Sequence, residues 1–543
     1  MACSLFTKLN NTFGEQENYG ELQVKSLKMA DELSSKLFKS LTNPEPDGLK
    51  KSGRQVAVIG GGLAGLSAAY YLLREGAQVT LFEPAPDCGG RVRTDKDFIP
   101  GRIIEAGAEL IGLNHPLWIT LARDLGLNLT TVTPELHYLG AQVDLYVDVE
   151  EPLEQIDHIN QKINLRTETL RRLHSHMDSI YAMLNGHIIE LDAYRPWTGR
   201  ESRKWDGMSV AQWLEGLTLE NVSEEEMLLA KRAVAQHLEN DQCAPLETQS
   251  MLGLLAAVAG GALTQLETTN PSEYWTQSEV FRCGDGNQAL VEKLQAACEE
   301  HNRAFALKRF RVTQVKRVAD LHQVFWDDDS DTFDWVVFAV SSTQLFDTKN
   351  ESRILFTGNT PPRPPQCGKA SKLLTHVNSR FWLRSRHNTC APSAFSGTLG
   401  SFWEATDNQT GPRQTDNEDA GVGVSLFSGS TFANNVEEYV ASGNIINQID
   451  SIFDEFERFL SGEGYKYINW QEEEFIGTGY SCPDLGELTT NGDFYCKHHD
   501  HVVFAGEYTV PPFFGYMEGA LQSGLRAAMI ITGSEISSLQ TLI

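Results

Sequence analysis

The chain has 543 residues, 41% of them hydrophobic, and sets 73 acids against 45 lysines and arginines for a formal charge of −28. That length exceeds one ordinary core and implies two or three structural domains, while the acidity disfavours nucleic acid and anionic membrane as partners. Nine cysteines, odd in number and without a CxxC pair, fit a reducing compartment better than a disulfide framework.

The start, MACSLFTKLNN, lacks a basic n-region followed by a long apolar core. No window reaches the roughly 20 apolar residues that span a bilayer, so a soluble, cytoplasmic protein without membrane contact is expected. Leu27, Ala30, Leu33, Leu37 and Leu41 recur at helical spacing until NPEPDG breaks the pattern. Residues 1–52 therefore read as an N-terminal arm, expected to pack on its own body.

Residues 56–83, VAVIGGGLAGLSAAYYLLREGAQVTLFE, carry the strongest signal. A β-branched strand enters a GxGxxG spacing at Gly60, Gly62 and Gly65, with Ala64 between the last two. The first glycine allows the tight turn, the second lets backbone approach a pyrophosphate, and the third lets helix and strand pack closely. The helix from Leu63 to Arg74 aims its free N–H groups at the phosphates. Glu83 ends the second strand about 20 residues on, where the ribose-binding acid of a dinucleotide fold stands. GxGxxG alone is weak, but strand, helix, second strand and acid agree. The competing reading is a tight turn in another α/β fold.

Downstream, Leu170, Leu173, Met177, Ile180 and Leu184 form a helical stripe stopped by Asn185-Gly186. Ser223 with Glu226 reads as a capping box ahead of MLLAKRAVAQHL. A strand-rich region resumes at 310–340, with DDDSD as a solvated turn, and VVFAGEYT at 502–509 reads as one more buried strand before a final helix, YMEGALQSGLRAAMII. KHHDH at 497–501 has no second ligand pair, so a polar turn is expected there and no metal site.

Two stretches resemble a known family. CGGRVRT at 88–94 is similar to the second glycine pair and arginine of the flavin amine oxidases, which include monoamine, polyamine and L-amino acid oxidases. FAGEYTVPPFFGYMEGALQSGLRAA at 504–528 resembles their C-terminal flavin signature. The texture of GAELIGLNHP and FWEATDNQ looks closest to bacterial and fungal L-amino acid oxidases. The resemblance implies FAD and an α/β fold. A discontinuous Rossmann-like FAD-binding domain would comprise 53–114, 276–345 and 475–535. A mixed-sheet substrate-binding domain would comprise 115–150 and 346–474, and a helical domain 151–275.

Carried onto this sequence, the resemblance makes Gly90 and Arg91 pyrophosphate contacts, Val312 an adenine contact, and Glu507 the acid at a flavin-side hydroxyl. Gly515, Tyr516 and Met517 open the last helix toward the flavin. Lys372, nine residues before Phe381-Trp382, resembles the lysine that holds a water near flavin N5. Tyr480 and Tyr516 match an aromatic cage that orients the substrate amine, and Trp403 is a candidate pocket aromatic. Plain core packing competes for Val312, Trp403 and either tyrosine taken alone.

Two departures from the family pattern matter. Gly479 stands where the monoamine oxidases tether flavin through a cysteine, with Cys482 displaced beyond it, so non-covalent FAD is expected. Leu110 stands where many L-amino acid oxidases carry a carboxylate-binding arginine, leaving Arg102 and the basic residues of GRESRK (199–204) as candidates. The expected reaction is oxidative deamination of an L-amino acid, with basic ones such as L-arginine favoured by the net acidity. O2 is the co-substrate, and a 2-oxo acid, ammonia and hydrogen peroxide are the products. The alternatives are a polyamine or monoamine oxidase, and a non-catalytic binding protein of the GTPase-chaperone type. Oligomeric state, including a homo-oligomer, is left open.

Overall fold

The computed structural model describes residues 33, 37, 39–41, 53–132, 144–146, 162–164, 168–261, 274, 278–347, 353–379, 394–406, 409, 421–453 and 456–533. The chain runs β1 (Gln55–Ile59), α1 (Leu63–Arg74) and β2 (Gln78–Phe82), then leaves for α2 (Pro116–Asp124). A helical region follows, with α3 (Glu168–Ala182), α4 (Glu224–Gln242) and α5 (Met251–Gly261). It returns through α6 (Gln288–Glu299) to β3 (Phe305–Lys308). An antiparallel excursion, β4 (Val312–Val318), β5 (Leu321–Trp326) and β6 (Asp329–Phe333), precedes β7 (Trp335–Phe338). A second departure forms β8 (Ala370–Val377), β9 (Gly400–Glu404), β10 (Val422–Gly429) and β11 (Leu460–Asn469). Finally β12 (Val502–Phe504) and α7 (Met517–Thr532) close the fold.

The central sheet is parallel throughout, in the order β12-β7-β1-β2-β3. Its strands come from three stretches far apart in sequence. β1 and β7 are apolar and buried almost along their length, as a parallel sheet covered on both faces requires. Helix α7 lies directly on α1. A Cβ at Gly524 would collide with the Ala64 carbonyl oxygen and approach the Ala68 nitrogen to 2.6 Å. Beside that contact the Ser67 hydroxyl donates to the Leu521 carbonyl at 2.7 Å. Both helices therefore start at the same end of the sheet. Leu33 and Leu37 of the N-terminal arm are buried in this same core.

The other large sheet has seven strands, beginning β11-β8-β10-β9 and continuing through Ala394–Ser396, Asp144–Tyr146 and Lys162–Asn164. β8 is an interior strand, paired antiparallel to β10 and β11. Alternation along it sends Ala370 and Leu374, two residues either side of Lys372, into a core with Trp403, Phe427 and Trp470. Leu373 and Val377 enter a different core, against Ile445 and Ile449.

Local expectations met varied outcomes. The Ser223–Glu226 capping box is present at α4, and Leu173, Met177, Ile180 and Leu184 share a core. The striped helix ends at Ala182, just before Asn185-Gly186, and those two residues open a separate short helix, Asn185–Ile188. DDDSD is only partly a turn: Asp327, at φ +44°, and Asp328 turn the chain, and Asp329 onward belongs to β6. β6 is an edge strand with exposed side chains, where acids are tolerated and discourage further pairing. VVFAGEYT is a strand only to Phe504, after which Gly506, at φ +148°, turns the chain into a short 3-10 helix. His499 of the KHHDH stretch stacks on Phe494 at 3.9 Å. Among the described residues no helix is long and apolar enough to cross a membrane.

The α1–α7 contact leads to a prediction. Gly524→Ala should destabilise the fold by the ~1–3 kcal/mol typical of overpacking and so lower the apparent Tm. Gly186→Ala, whose Cβ would meet nothing within 4 Å, should not. Equal melting of the two variants would show that the close approach is dispensable.

Candidate active site

A cavity of about 670 Å³ runs from the β1–α1 turn to the start of α7, against the face of β8 that carries Lys372. Gly60, Gly62, Ala64, Glu83, Gly90, Arg91, Val312, Lys372, Tyr480, Glu507, Gly515, Tyr516 and Met517 all line it. Two of the expected site residues do not. Gly65 faces away, and a Cβ there would run into the Gly60 carbonyl oxygen, so its role is the close packing of helix on strand. Trp403 is fully buried off the cavity, because its indole N–H is drawn to the Glu109 carboxylate at 2.9 Å. It is a support, not a pocket wall.

At the dinucleotide end, Glu83 is held by two backbone donors, Gly61 N–H at 2.7 Å and Ala85 N–H at 2.9 Å. Burial nevertheless raises its pKa above the usual carboxylate range. Val312 opens β4 with its side chain buried. Arg91 extends one guanidinium nitrogen to Glu507 Oε1 at 2.9 Å and to the Gly479 carbonyl at 2.6 Å. Glu507 also accepts from the Ser481 hydroxyl at 2.5 Å and Gly515 N–H at 2.7 Å. These bonds tie the loop before α7 to the turn after β2.

At the other end stand the two tyrosines. Tyr480 stacks on Phe427, rings 6.2 Å apart and 11° from parallel, and its hydroxyl donates to the Asp241 carbonyl. Gly515, at φ +77°, lets backbone meet that ring, since a Cβ would lie 2.7 Å from it. Tyr516 donates to the Tyr274 hydroxyl at 3.1 Å and meets the His115 ring edge-on at 4.9 Å. Each phenol is thus pinned from behind. Burial, with Cys243 and Asp241 beside Tyr480 and Tyr274 and Glu279 near Tyr516, drives both pKa values well above 10, so both rings stay neutral.

Lys372 is buried, and its ammonium meets three acceptors: Glu109 Oε2 at 2.6 Å, the Glu105 carbonyl at 2.7 Å and the Gly107 carbonyl at 3.2 Å. Its sequence marker, Phe381-Trp382, lies outside the described residues. Glu109 also takes Arg282 Nε at 2.8 Å. Despite full burial, the cations Lys372 and Arg282 hold its pKa down to about 2. No motif marks Glu109 in the sequence, although an acid inside the apolar run EAGAELIG demands a cationic partner. Phe427, Asp241 and His115 carried no local signal at all.

The remaining candidates lie elsewhere. Leu110 is core, beside Trp403 and Phe427. Arg102 donates to the Gly421 carbonyl at 2.9 Å and does not line the cavity. Neither do Arg200, Arg203 or Lys204.

The model for flavin containing amine oxidoreductases matches residues 63–532, and the chain belongs to that family. A probable flavin-containing monoamine oxidase A of Dictyostelium discoideum is 24% identical over 89% of this chain and 98% of its own length. An L-amino-acid oxidase of Naja atra is 23% identical, covering 89% of each. Among solved structures, a redesigned putrescine oxidase superposes with a TM-score of 0.67 at 20% identity, covering 89% of this chain and 100% of that one. Cyclohexylamine oxidase from Brevibacterium oxydans IH-35A gives 0.66 at 19%, covering 89% and 99%. These likenesses establish the fold and FAD as cofactor, but divide between amines and amino acids.

The cavity fits FAD on its own geometry. Gly62 and Gly90 approach across its floor, and a Cβ on either would meet nothing closer than 3.8 Å. Side chains there would fill open space where a pyrophosphate can rest on bare backbone. α1 and α7 both begin at the cavity without a side-chain cap, leaving N–H groups and positive dipole ends for phosphate and flavin. At Gly479 a Cβ would lie 2.6 Å from that of Ala370, so this backbone has no space for a tethering cysteine. Flavin should accordingly appear in the supernatant of acid-precipitated protein; yellow colour retained in the washed pellet would refute non-covalent binding.

A second prediction concerns Glu105, whose pKa burial pushes up to about 7, with the Glu109 charge adding to the rise. A carboxyl raised in the fold binds more protons folded than unfolded, so its contribution is present below the unfolded value near 4.5. That contribution is lost as pH climbs through 7. Glu105→Gln should flatten the fall in urea stability between pH 4.5 and 7.5, a change on the order of 1–3 kcal/mol. An unchanged slope would place the titration elsewhere.

Proposed function

We propose that this chain oxidises basic L-amino acids, with L-arginine or L-lysine as the first choices. Bound FAD supplies the two-electron acceptor, and O2 returns it to the oxidised form with release of hydrogen peroxide. The protein's part is orientation. Tyr480 and Tyr516 offer two neutral rings, locked through their hydroxyls, between which an amine nitrogen is held at the cavity wall. Their π faces attract the incoming cation, and the dry aromatic surroundings favour the neutral amine once it is seated.

One observation carries the preference for a basic side chain. Asp241 lies immediately behind the cage, with its carbonyl accepting from Tyr480. Its buried oxygen Oδ1 has no hydrogen-bond partner among the described residues, while Oδ2 lies 3.3 Å from His237 Nε2. Burial and neighbouring Glu279 raise the Asp241 pKa well above its ordinary value, and although Asp241 stands outside the cavity lining, a cation held at the cage in front of it would favour its ionised form.

The α-carboxylate needs a donor, and the one this reading draws on is His115, which packs behind Tyr516 and outside the cavity lining. Its Nδ1 accepts from Gly112 N–H at 2.8 Å, which puts the ring proton on Nε2. That atom is buried against Tyr516 without a partner among the described residues. Burial lowers the imidazole pKa to about 3, so it acts as a neutral donor.

A second reading, oxidation of a diamine or polyamine without a carboxylate, draws on the cavity's cations. Five such side chains line it: Arg91, Arg93 and Lys372 each already face a glutamate, Arg311 lies over the Phe475 ring, and Lys96 stands beside them in the wall. L-arginine and agmatine differ only by the carboxylate and separate the two readings. With FAD-loaded protein and peroxide as readout, L-arginine should be oxidised faster. Faster turnover of agmatine would replace the amino-acid reading by the second, and inertness toward both would reject a basic substrate.

A further inference from the structure

We infer that Glu109 is the positioning residue for Lys372, and that the two side chains act as one unit at the cavity wall. The inference rests on the amine-oxidase reading only where turnover is concerned. The pairing itself is a property of this chain's own residues.

An ammonium has three N–H donors. Those of Lys372 meet Glu109 Oε2 and the carbonyls of Glu105 and Gly107. All three acceptors come from one short stretch, so residues 105–109 form a socket for a side chain arriving from β8. Lys372 cannot swing toward a ligand without breaking a buried ion pair. Its place at the cavity is therefore set by Glu109.

Glu109 is fixed in turn. It is 1% exposed, and every group upon it is a donor. Lys372 takes Oε2, while Arg282 at 2.8 Å and the Trp403 indole at 2.9 Å share Oε1. Arg282 is braced by the Glu404 carbonyl at 2.9 Å. Two cations thus compete for one carboxylate, and Trp403 and Arg282 hold it turned toward Lys372. A buried ion pair that merely joins two sheets would look similar in its bonds. The distinction is that Lys372 also lines the cavity shared by Tyr480 and Tyr516, so its displacement would be felt by whatever reacts there.

The donor-only surroundings make a discriminating test. A glutamine at 109 must turn its NH2 toward either Lys372 or the Arg282–Trp403 pair, and both sides present N–H groups. With Lys372→Met in place, the NH2 can face the side that lost its donor. A double-mutant cycle of Glu109→Gln and Lys372→Met therefore reads the coupling twice. In the first reading, urea midpoints of the FAD-free protein should show Glu109→Gln costing far more beside Lys372 than beside the methionine. In the second, the faster substrate of L-arginine and agmatine is used with FAD-loaded protein. Either single variant should lose turnover by on the order of 10²-fold, with FAD affinity nearly unchanged. The double variant should be no slower than Lys372→Met alone, and Glu109→Asp should recover part of the loss.

Independent effects in either reading would overturn the proposal: additive urea midpoints, or a double variant slowed by the product of the single losses. So would normal turnover in Glu109→Gln with a lowered midpoint, which would reduce the pair to a structural tie. If Glu109→Gln does not fold, Glu109→Asp takes its place in the cycle under the same criteria. If neither substrate reacts, the substrate reading fails while the FAD-free cycle still decides the pairing.

Discussion

The fold turns on a contact between two helices that lie some 450 residues apart in sequence. Gly524 of α7 presses backbone against Ala64 and Ala68 of α1, and Ser67 bonds to Leu521 beside it. Because neither helix carries a bulky side chain at the contact, they lie close and begin at the same edge of the parallel sheet. Their N-terminal N–H groups then open on one cavity. Glu518, in the first turn of α7, extends the arrangement by accepting from the N–H groups of Leu117 and Trp118 at the start of α2. Three helix beginnings are thereby tied together, two of them at the cavity.

Charge in the cavity walls is distributed with the same economy of partners. Arg91 faces Glu507, Lys372 faces Glu109, and Arg93 faces Glu473. All three pairs bridge segments hundreds of residues apart, so the electrostatics that shape the site also hold its parts in register. Burying one member alone would leave an uncompensated charge, which costs several kcal/mol. Glu109 and Glu105 show how strongly neighbours decide: four residues apart, one carboxyl is held near 2 by two cations while the other is pushed near 7 by burial.

The aromatic end follows a different logic. Tyr480 and Tyr516 have ordinary aromatic neighbours, Phe427 and His115. Their hydroxyls are bonded away from the cavity, which leaves ring faces, not polar tips, to meet a ligand. Asp241 sits behind this wall as a carbonyl acceptor for Tyr480 and as a buried carboxyl group whose pKa burial raises.

Much of this was legible in the amino-acid sequence, and for local reasons. GxGxxG, the strand before it and the acid after it specify a turn and helix through backbone geometry alone. The capping box at Ser223 and the apolar stripe through Leu173, Met177 and Ile180 depend only on neighbours within a turn or two of helix. The cavity residues Lys372, Tyr480, Glu507 and Tyr516 were reached through motif resemblance, which records where a chain comes back to the site without showing how. Tertiary structure alone decided that Lys372 meets Glu109, that Trp403 supports this carboxylate from outside the cavity, and that Asp241 and His115 stand behind the tyrosines. Such pairings join residues hundreds of positions apart, and hydrogen-bond direction and burial exist only once β8, α4 and the loop after β2 have packed. Periodicity reports which face of an element is buried; what that face touches is set by the whole fold.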